Sequence, residues 1–300
     1  MPDSRPPKIC DYEGSTYRTD FWEGRGRNYE DRAERIALRR LLPPAGGWRL
    51  LEIGAGFGRV TNEYDAYTQV VLLDYSFSQL QYAREHFGDS ERYVYVAADA
   101  YHLPFKPGTF DGATMIRVIH HMADAPAVLQ QVRSCLVTGG TFILEHANKR
   151  NLKAMLRYAL GRQKWSPYSH EPVEFVELNF DFHPQYIVDC LTHAGFAISQ
   201  RLPVSFFRLG LLKRTVPPSA LAKLDGLLQS TGLLYAPSVF AGCQAVGQSE
   251  NNLTLAGEEI FACPQTGGPL TREGDTLVST QTGARYTVRD GIYDFKAPID

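Results

Sequence analysis

The stretch Arg49-Leu-Leu-Glu-Ile-Gly-Ala-Gly-Phe-Gly58 decides the fold. Its first five residues form a short apolar run typical of a buried β-strand, and Gly54, Gly56 and Gly58 follow at alternate positions. Such glycines let the backbone turn sharply and bring its N–H groups close to a ligand, at the N-terminus of the helix expected to follow. The stretch therefore predicts a nucleotide-binding strand, loop and helix.

Beyond this unit, short apolar runs alternate with helical patterns. The predicted strands are Val70 to Leu73, Tyr93 to Ala97, Gly112 to Val118, Thr141 to Glu145, Phe196 to Leu202 and Ser238 to Val246. Asp74 ends the second strand, 20 residues after Gly54, where its carboxylate can accept hydrogen bonds from ribose hydroxyls. Asp99 follows the third strand. The alternation predicts an α/β fold, a Rossmann-like doubly wound sheet of seven strands.

These strand ends resemble those of the class I S-adenosylmethionine-dependent methyltransferases of the type 11 group. Two further motifs share the resemblance, Leu103-Pro104-Phe105 and Leu136-x-x-Gly139-Gly140-Thr141. The resemblance covers about residues 15–246. It implies the cofactor S-adenosyl-L-methionine and a set of contacts to it, namely Glu52, Gly54, Ala55, Gly56 and Gly58 at the methionine end, Asp74 at the ribose, Asp99 and Ala100 at the adenine, and Tyr75 and Arg117 as further contacts. A nicotinamide- or flavin-binding domain is the alternative, but its fingerprint is G-x-G-x-x-G rather than the G-x-G-x-G found in this chain.

The chain divides into four predicted parts. Residues 1–45 form a helical and aromatic cover over the cofactor, in which Tyr17, Phe21, Trp22 and Arg27 are the candidate residues. Residues 46–246 form the methyltransferase domain, interrupted by insertions at about 147–182 and 206–235. Residues 247–257 are a polar linker, and 258–300 form a small β-rich appendix.

The chemistry of such a domain demands little of the protein, because the sulfonium already makes the methyl group electrophilic. His120 and His121, after the fourth strand, are the candidate general bases for a hydroxyl or carboxyl nucleophile; the alternative is that they pack beneath the cofactor. The [Asn/Asp]-Pro-Pro-[Tyr/Phe] tetrapeptide of amino-methyltransferases is absent near this point. Methylation at oxygen or carbon is therefore favoured over methylation at an amide nitrogen.

The first insertion carries a basic amphipathic helix. Its cations are Lys149, Arg150, Lys153, Arg157, Arg162 and Lys164, with no acid from Ala147 to Pro167, while Leu152, Met155, Leu156, Ala159 and Leu160 keep helical spacing. Such a helix can lie on a membrane, touch RNA phosphates, or pack on its own domain with a solvated outer face. The sequence leaves the three alternatives open.

The appendix resembles the small zinc-ribbon activator of tRNA, rRNA and release-factor methyltransferases, through Cys263-Pro264 and the strand that begins at Arg285-Tyr286 and ends at Ile292. Its metal ligands are missing, because Cys263 is its single cysteine, Thr266 stands where a second would be, and no histidine follows His193. A structural zinc site needs four Cys or His ligands, so no metal is expected. About 40 residues without metal or disulfide are marginal alone. We therefore expect the appendix to pack on the large domain and to stabilise it in cis.

Composition narrows the classes of function. The chain has 31 Lys and Arg against 33 Asp and Glu, a net charge of −2, so no global positive field attracts nucleic acid. Five scattered cysteines without a C-x-x-C pair, the lack of an apolar leader and the lack of a 20-residue apolar run predict a cytoplasmic protein without stable membrane insertion. The leading interpretation is methyl transfer to a small, hydrophobic acceptor. The alternatives are a tRNA-modifying methyltransferase assisted by the appendix, and a non-catalytic cofactor-binding regulator; the oligomeric state is left open.

Overall fold

The computed structural model describes residues 9–14 and 26–299. Its helices are α1 (Asn28–Leu41), α2 (Phe77–Phe87), α3 (Ala125–Cys135), α4 (Leu152–Ala159), α5 (Pro184–His193), α6 (Gly210–Thr215) and α7 (Pro218–Gln229). Its strands are β1 (Gly47–Ile53), β2 (Tyr67–Asp74), β3 (Tyr93–Ala97), β4 (Phe110–Met115), β5 (Leu136–Ala147), β6 (Val173–Val176), β7 (Asn179–Asp181), β8 (Phe196–Val204), β9 (Ser238–Ala245), β10 (Leu270–Glu273), β11 (Thr276–Ser279), β12 (Arg285–Arg289) and β13 (Ile292–Ile299).

The predicted seven-stranded doubly wound sheet is confirmed. Its order is β3-β2-β1-β4-β5-β9-β8, in which β9 runs antiparallel to both of its neighbours and the other pairs are parallel. The chain winds outward from β1 to β3 and then crosses back to β4. This reversal opens a crevice at the carboxyl ends of β1 and β4, where doubly wound sheets bind their ligands.

Alternate residues of the central strands enter two separate cores. Leu51 of β1 and Val71 of β2 pack toward α3 and α5, whereas Leu50, Val70 and Leu72 pack toward α1, α2 and α7. These strands are buried on both faces, which is why they are continuous apolar runs in the sequence. The helices on the two faces hold the crevice between them.

Two local expectations were wrong. The α-helix expected after Gly58 is replaced by a single 3₁₀ turn, Thr61–Tyr64, because β2 already begins at Tyr67 and leaves no room for a longer element. The fourth strand ends at Met115 rather than Val118, because Arg117 adopts a left-handed backbone conformation with φ 62° that a strand does not accommodate.

The C-terminal residues extend the same sheet. β10 to β13 form an antiparallel meander, and β13 pairs in parallel with β3, so the sheet has 11 strands among the described residues. Residues 247–257 lie against the large domain, where Asn252 N donates to Gly108 O at 2.8 Å and Arg49 Nη2 donates to Leu255 O at 2.7 Å. Within 9–14 and 26–299, no group of three or more His, Cys, Asp or Glu side chains is placed to hold a metal ion.

Candidate functional site

A cleft lies at the carboxyl ends of β1, β2 and β4. Most of the predicted site residues line it, namely Glu52, Gly54, Ala55, Gly56, Asp74, Tyr75, Asp99, Ala100, Arg117 and His121. Gly58 and His120 lie outside the lining. The structure thus brings together side chains that are up to 69 positions apart in the sequence, between Glu52 and His121.

Asp74 holds the glycine loop in place. Its Oδ2 accepts a hydrogen bond from Gly56 N at 2.7 Å, and its Oδ1 accepts one from Ser76 N at 2.8 Å. Burial raises the pKa of Asp74 to about 6, although these backbone donors oppose the shift. Each carboxylate oxygen keeps a further lone pair, so Asp74 can still accept hydrogen bonds from a ligand.

The three glycines of the loop have different roles. A Cβ on Gly54, whose φ is +70°, would lie 2.1 Å from Val118 Cγ2, so no other residue fits between β1 and the turn after β4. Gly58 is kept small for packing, because a Cβ there would lie 2.4 Å from the Phe87 ring. Gly56, with φ +54°, meets nothing within 4 Å and faces open space. The open side of the loop at Gly56 is therefore the part that can approach a ligand.

Glu52 is a buried carboxyl group at the floor of the cleft. Its Oε2 accepts a hydrogen bond from Thr61 Oγ1 at 2.6 Å. Burial raises the pKa of Glu52 to about 8, against the opposing effects of Thr61 and Arg59. The side chain is therefore protonated at neutral pH in the structure as it stands, and a cation placed beside it would favour its ionisation.

A buried ion cluster supports the wall of the cleft and was not predicted. Glu34 of α1 accepts hydrogen bonds from Arg117 Nε at 2.9 Å and from Arg59 Nη2 at 2.8 Å. Burial alone would raise the pKa of Glu34, but Arg117 and Arg59 outweigh it and lower the pKa to about 2. Arg117 N also donates to Glu145 Oε2 at 2.9 Å, which holds the left-handed turn. The guanidinium of Arg117 is thus bound by the Glu34 carboxylate of the protein itself.

His121 is oriented from both sides. Its Nδ1 lies 2.9 Å from Leu178 O in the β6–β7 hairpin, and its Nε2 lies 3.3 Å from the Tyr12 hydroxyl. Because a carbonyl oxygen only accepts, Nδ1 carries the proton and Nε2 is the basic nitrogen. Burial lowers the pKa of His121, so the ring is neutral at pH 7. The arrangement is that of an oriented base at the cleft wall.

His120 differs from its neighbour. Its ring centroid lies 4.1 Å from that of His121, and its Nδ1 is buried without a hydrogen-bond partner among the described residues. Burial and then the nearby His121 and Arg117 lower its pKa well below the usual value. His120 therefore packs beside the site rather than facing the cleft.

Part of the N-terminal segment closes over the cleft. Ile9, Cys10 and Tyr12 belong to the lining, and the Glu13 carboxylate accepts from Phe77 N at 2.7 Å, at the start of α2. The candidate residues predicted for this cover, within 1–45, were four others. Three of them, Tyr17, Phe21 and Trp22, lie outside the described residues, and the fourth, Arg27, directly precedes α1.

Several known proteins are similar to this chain in sequence or in fold. Residues 51–144 match the family model described as a methyltransferase domain. The chain is 29% identical to O-methyltransferase cnsE of Penicillium expansum, over 47% of this chain and 55% of that protein. It is 28% identical to the 27-O-demethylrifamycin SV methyltransferase of Amycolatopsis mediterranei, over 44% of this chain and 51% of that protein. The chain thus spans about half the length of the curated relatives it matches.

The fold similarity extends further than the sequence similarity. The solved structure of a Listeria monocytogenes protein assigned as an S-adenosylmethionine-dependent methyltransferase superimposes with a TM-score of 0.53 at 15% identity, over 73% of this chain and 99% of that one. At this identity the likeness concerns the fold alone. The family match assigns residues 51–144 to a methyltransferase domain, and the fold of the chain is that of the class I methyltransferases.

Proposed function

We propose that this chain, built on a class I methyltransferase domain, transfers a methyl group from S-adenosylmethionine to an oxygen or carbon atom of a small, largely apolar acceptor. One observation carries the proposal. Asp74, with an available acceptor site on each oxygen, lies beside an open glycine loop, in a cleft that also contains an oriented neutral histidine. The first two features suit a nucleoside, and the third suits an acceptor that must lose a proton.

The cleft residues fit the cofactor in type and place. Asp74 would accept hydrogen bonds from the ribose hydroxyls, since a carboxylate at the end of the second strand suits that role. The open backbone at Gly56 and the carboxyl of Glu52 would meet the methionine part, whose ammonium group would favour the ionised form of Glu52. Tyr75 and Ala100 would border the adenine. When bound, the cofactor supplies an electrophilic methyl group on its sulfonium.

The other end of the cleft suits an apolar acceptor. Ile9, Val118 and Met122 line it together with the Tyr12 and His121 side chains. An acceptor hydroxyl that displaced the Tyr12 hydroxyl from Nε2 could pass its proton to that nitrogen while Leu178 O holds the ring. Apolar walls exclude water from the methyl group, and the protein otherwise needs only to align the attack. Two of the similar proteins carry names that refer to O-methylation, which supports oxygen as the attacked atom.

Cofactor binding can be tested by calorimetry on the purified chain. We expect Asp74→Asn to weaken S-adenosylmethionine binding by about tenfold to a hundredfold, because a hydrogen bond to a charged acceptor is worth roughly 1.5–3 kcal/mol. Asp275→Asn is the matched control, since Asp275 is an exposed residue in the β10–β11 turn that forms a surface ion pair with Arg272. Equal affinities for the wild type and Asp74→Asn would remove the ribose assignment.

The acceptor class can be found by incubating the chain with methyl-labelled cofactor and a bacterial lysate. Label in the organic-soluble or small-molecule fraction supports the proposal. Label in the RNA fraction would replace it with a tRNA-modifying activity assisted by the C-terminal strands. Tight cofactor binding with no label in any fraction, across several lysates, would favour a non-catalytic regulator.

A further inference from the structure

Two excursions of the chain rise from the same edge of the sheet. The first covers residues 148–182 after β5 and is closed at its base by a bridge between Asn148 and Phe182. The second covers residues 205–237 between β8 and β9. Because β9 is antiparallel to both β5 and β8, those two strands run in the same direction, and both excursions begin at the carboxyl edge. This is also the edge at which the cleft opens.

The helix of the first excursion presents its apolar stripe to solvent. Leu152, Leu156 and Leu160 recur every four residues at α4 and its C-terminus, and they are 58%, 61% and 56% exposed. Ala154 is the buried residue of this helix. The helix therefore packs on its domain through Ala154, and the domain leaves the leucine stripe uncovered.

Cations accompany the exposed leucines. Lys153 and Arg157 lie on the same two turns of α4, and the chain has no acidic residue from position 146 to position 170. Within 9–14 and 26–299, no ion pair joins either side chain to an acid. The second excursion exposes Leu209 and Leu211 as well, but its Lys213 is paired with Glu30 at 2.7 Å. The acids of the first excursion follow α4, at Glu171, Glu174, Glu177 and Asp181. Positive charge is therefore concentrated on α4 and the turn after it rather than on the whole edge.

We propose that this edge docks on the surface of an anionic lipid bilayer, with α4 lying in the interfacial plane. Exposed leucines at helical spacing suit the acyl boundary, and flanking Lys and Arg suit anionic headgroups. A second copy of the chain is a poorer occupant, because a twofold interface would bring Lys153 and Arg157 of the two copies together. RNA would use the cations but would leave three leucines exposed. No described helix is long and apolar enough to cross a membrane, so the contact is with the surface.

The excursion that carries α4 also reaches the cleft. Leu178, which orients His121, belongs to the same excursion as α4. An acceptor dissolved in the bilayer would then enter the cleft without passing through water, and this consequence rests on the proposed function. The docking does not depend on the proposed function, because it needs neither cofactor nor turnover.

Vesicle co-sedimentation of the full chain tests the docking. We expect binding to vesicles of equal parts phosphatidylcholine and phosphatidylglycerol, and little binding to phosphatidylcholine alone. Lys153→Gln with Arg157→Gln should weaken partitioning about thirtyfold, because each interfacial cation contributes roughly fivefold. Replacing Leu152, Leu156 and Leu160 by Ser should abolish it. Trp48→Ser with Val246→Ser is the control, since these exposed apolar residues lie at the opposite edge and should leave binding unchanged.

Three results would overturn the proposal. The first is the absence of binding to anionic vesicles at low salt, and the second is equal binding to both kinds of vesicle. The third is binding that survives the leucine substitutions, which would indicate charge attraction without docking. Thermal melting of each variant establishes that it is folded, and because the leucines are exposed we expect melting temperatures close to the wild type. Cofactor affinity measured on the same samples separates a failure of docking from a failure of the proposed function.

Discussion

Replacing Glu34 by Gln tests the buried ion cluster that connects α1 to the cleft. The carboxylate is buried and accepts hydrogen bonds from Arg117 and Arg59. The protein lowers its pKa from 4.5 to about 2, and each pH unit of displacement corresponds to about 1.4 kcal/mol. Glu34→Gln should therefore reduce the free energy of unfolding at pH 7 by about 3 kcal/mol, which agrees with the usual cost of breaking a buried ion pair.

The lowered pKa of Glu34 also predicts how the free energy of unfolding depends on pH. A carboxyl group whose folded pKa is depressed contributes stability above its unfolded pKa, and that stability is lost as pH falls through the folded value. Urea unfolding of the wild type and the variant should thus differ by about 3 kcal/mol at pH 7. The difference should shrink progressively below pH 4.5 and vanish near pH 2.

The control is Glu85→Gln, at an exposed position of α2, which should change the free energy of unfolding by less than about 0.5 kcal/mol. A difference for Glu34→Gln that stays constant from pH 7 to pH 3 would refute the electrostatic reasoning, since it would point to altered packing alone. A difference below about 1 kcal/mol at pH 7 would refute it too. Loss of the pair should also loosen Arg117 and so weaken cofactor binding.

Three further predictions concern the cleft itself. Gly54→Ala should abolish cofactor binding, because its Cβ would lie 2.1 Å from Val118 Cγ2. Gly139→Ala is the control: Gly139 has a similar positive φ but lies in open space, so this variant should lose stability and retain cofactor binding. Cofactor affinity measured by calorimetry should fall as pH drops through about 6, because protonation of Asp74 removes the charged acceptor. Asp74→Asn should lose this part of the pH dependence, and a profile that the substitution leaves unchanged would contradict the role of Asp74. His121→Gln should lower kcat about 10²-fold or more while the cofactor Kd changes less than twofold, and unaltered turnover would exclude a general base at this position.

The sequence made the central sheet and the cofactor end of the cleft predictable, because buried parallel strands are continuous apolar runs with sharp ends. Asp74 was found for this reason: it is the first polar residue after Val70 to Leu73 and follows the glycine loop at a typical distance. Residues whose role depends on their own strand end could be predicted in this way. Contacts with a distant partner could not.

Glu34 and His121 illustrate this limit. Glu34 contacts Arg59 and Arg117, which are 25 and 83 positions away in the sequence. The one local indication of this contact is that Glu34 lies on the buried face of α1, beside Ala33 and Ala37. A glutamate on a buried helical face is therefore the signal that could have indicated an ion pair. The orientation of His121 depends on Leu178, 57 positions later in an insertion, and no sequence signal marks that contact.

The C-terminal strands show how a small unit without metal ligands can be stabilised by docking. Phe261 is buried and stacks on Phe105 of the large domain with ring centroids 5.8 Å apart, while β13 pairs with β3. The same unit contacts a residue of the cleft lining, because Lys296 Nζ lies 5.4 Å from the centroid of the Tyr75 ring. We therefore infer that folding of this unit and order in the loop after β2 are coupled.

Phe261→Ala in the full chain tests this coupling. Loss of a buried phenylalanine should cost about 3–5 kcal/mol in a single unfolding transition and should also weaken cofactor binding. Ile299→Ala, at the half-exposed end of β13, is the control and should change neither. If Phe261→Ala instead gave a separate early transition with the main transition and the cofactor Kd unchanged, the unit would be an independent appendix. One shared transition with a weakened Kd requires that the strands complete the methyltransferase domain in cis, because a separate unit cannot transmit its loss of packing to the cleft.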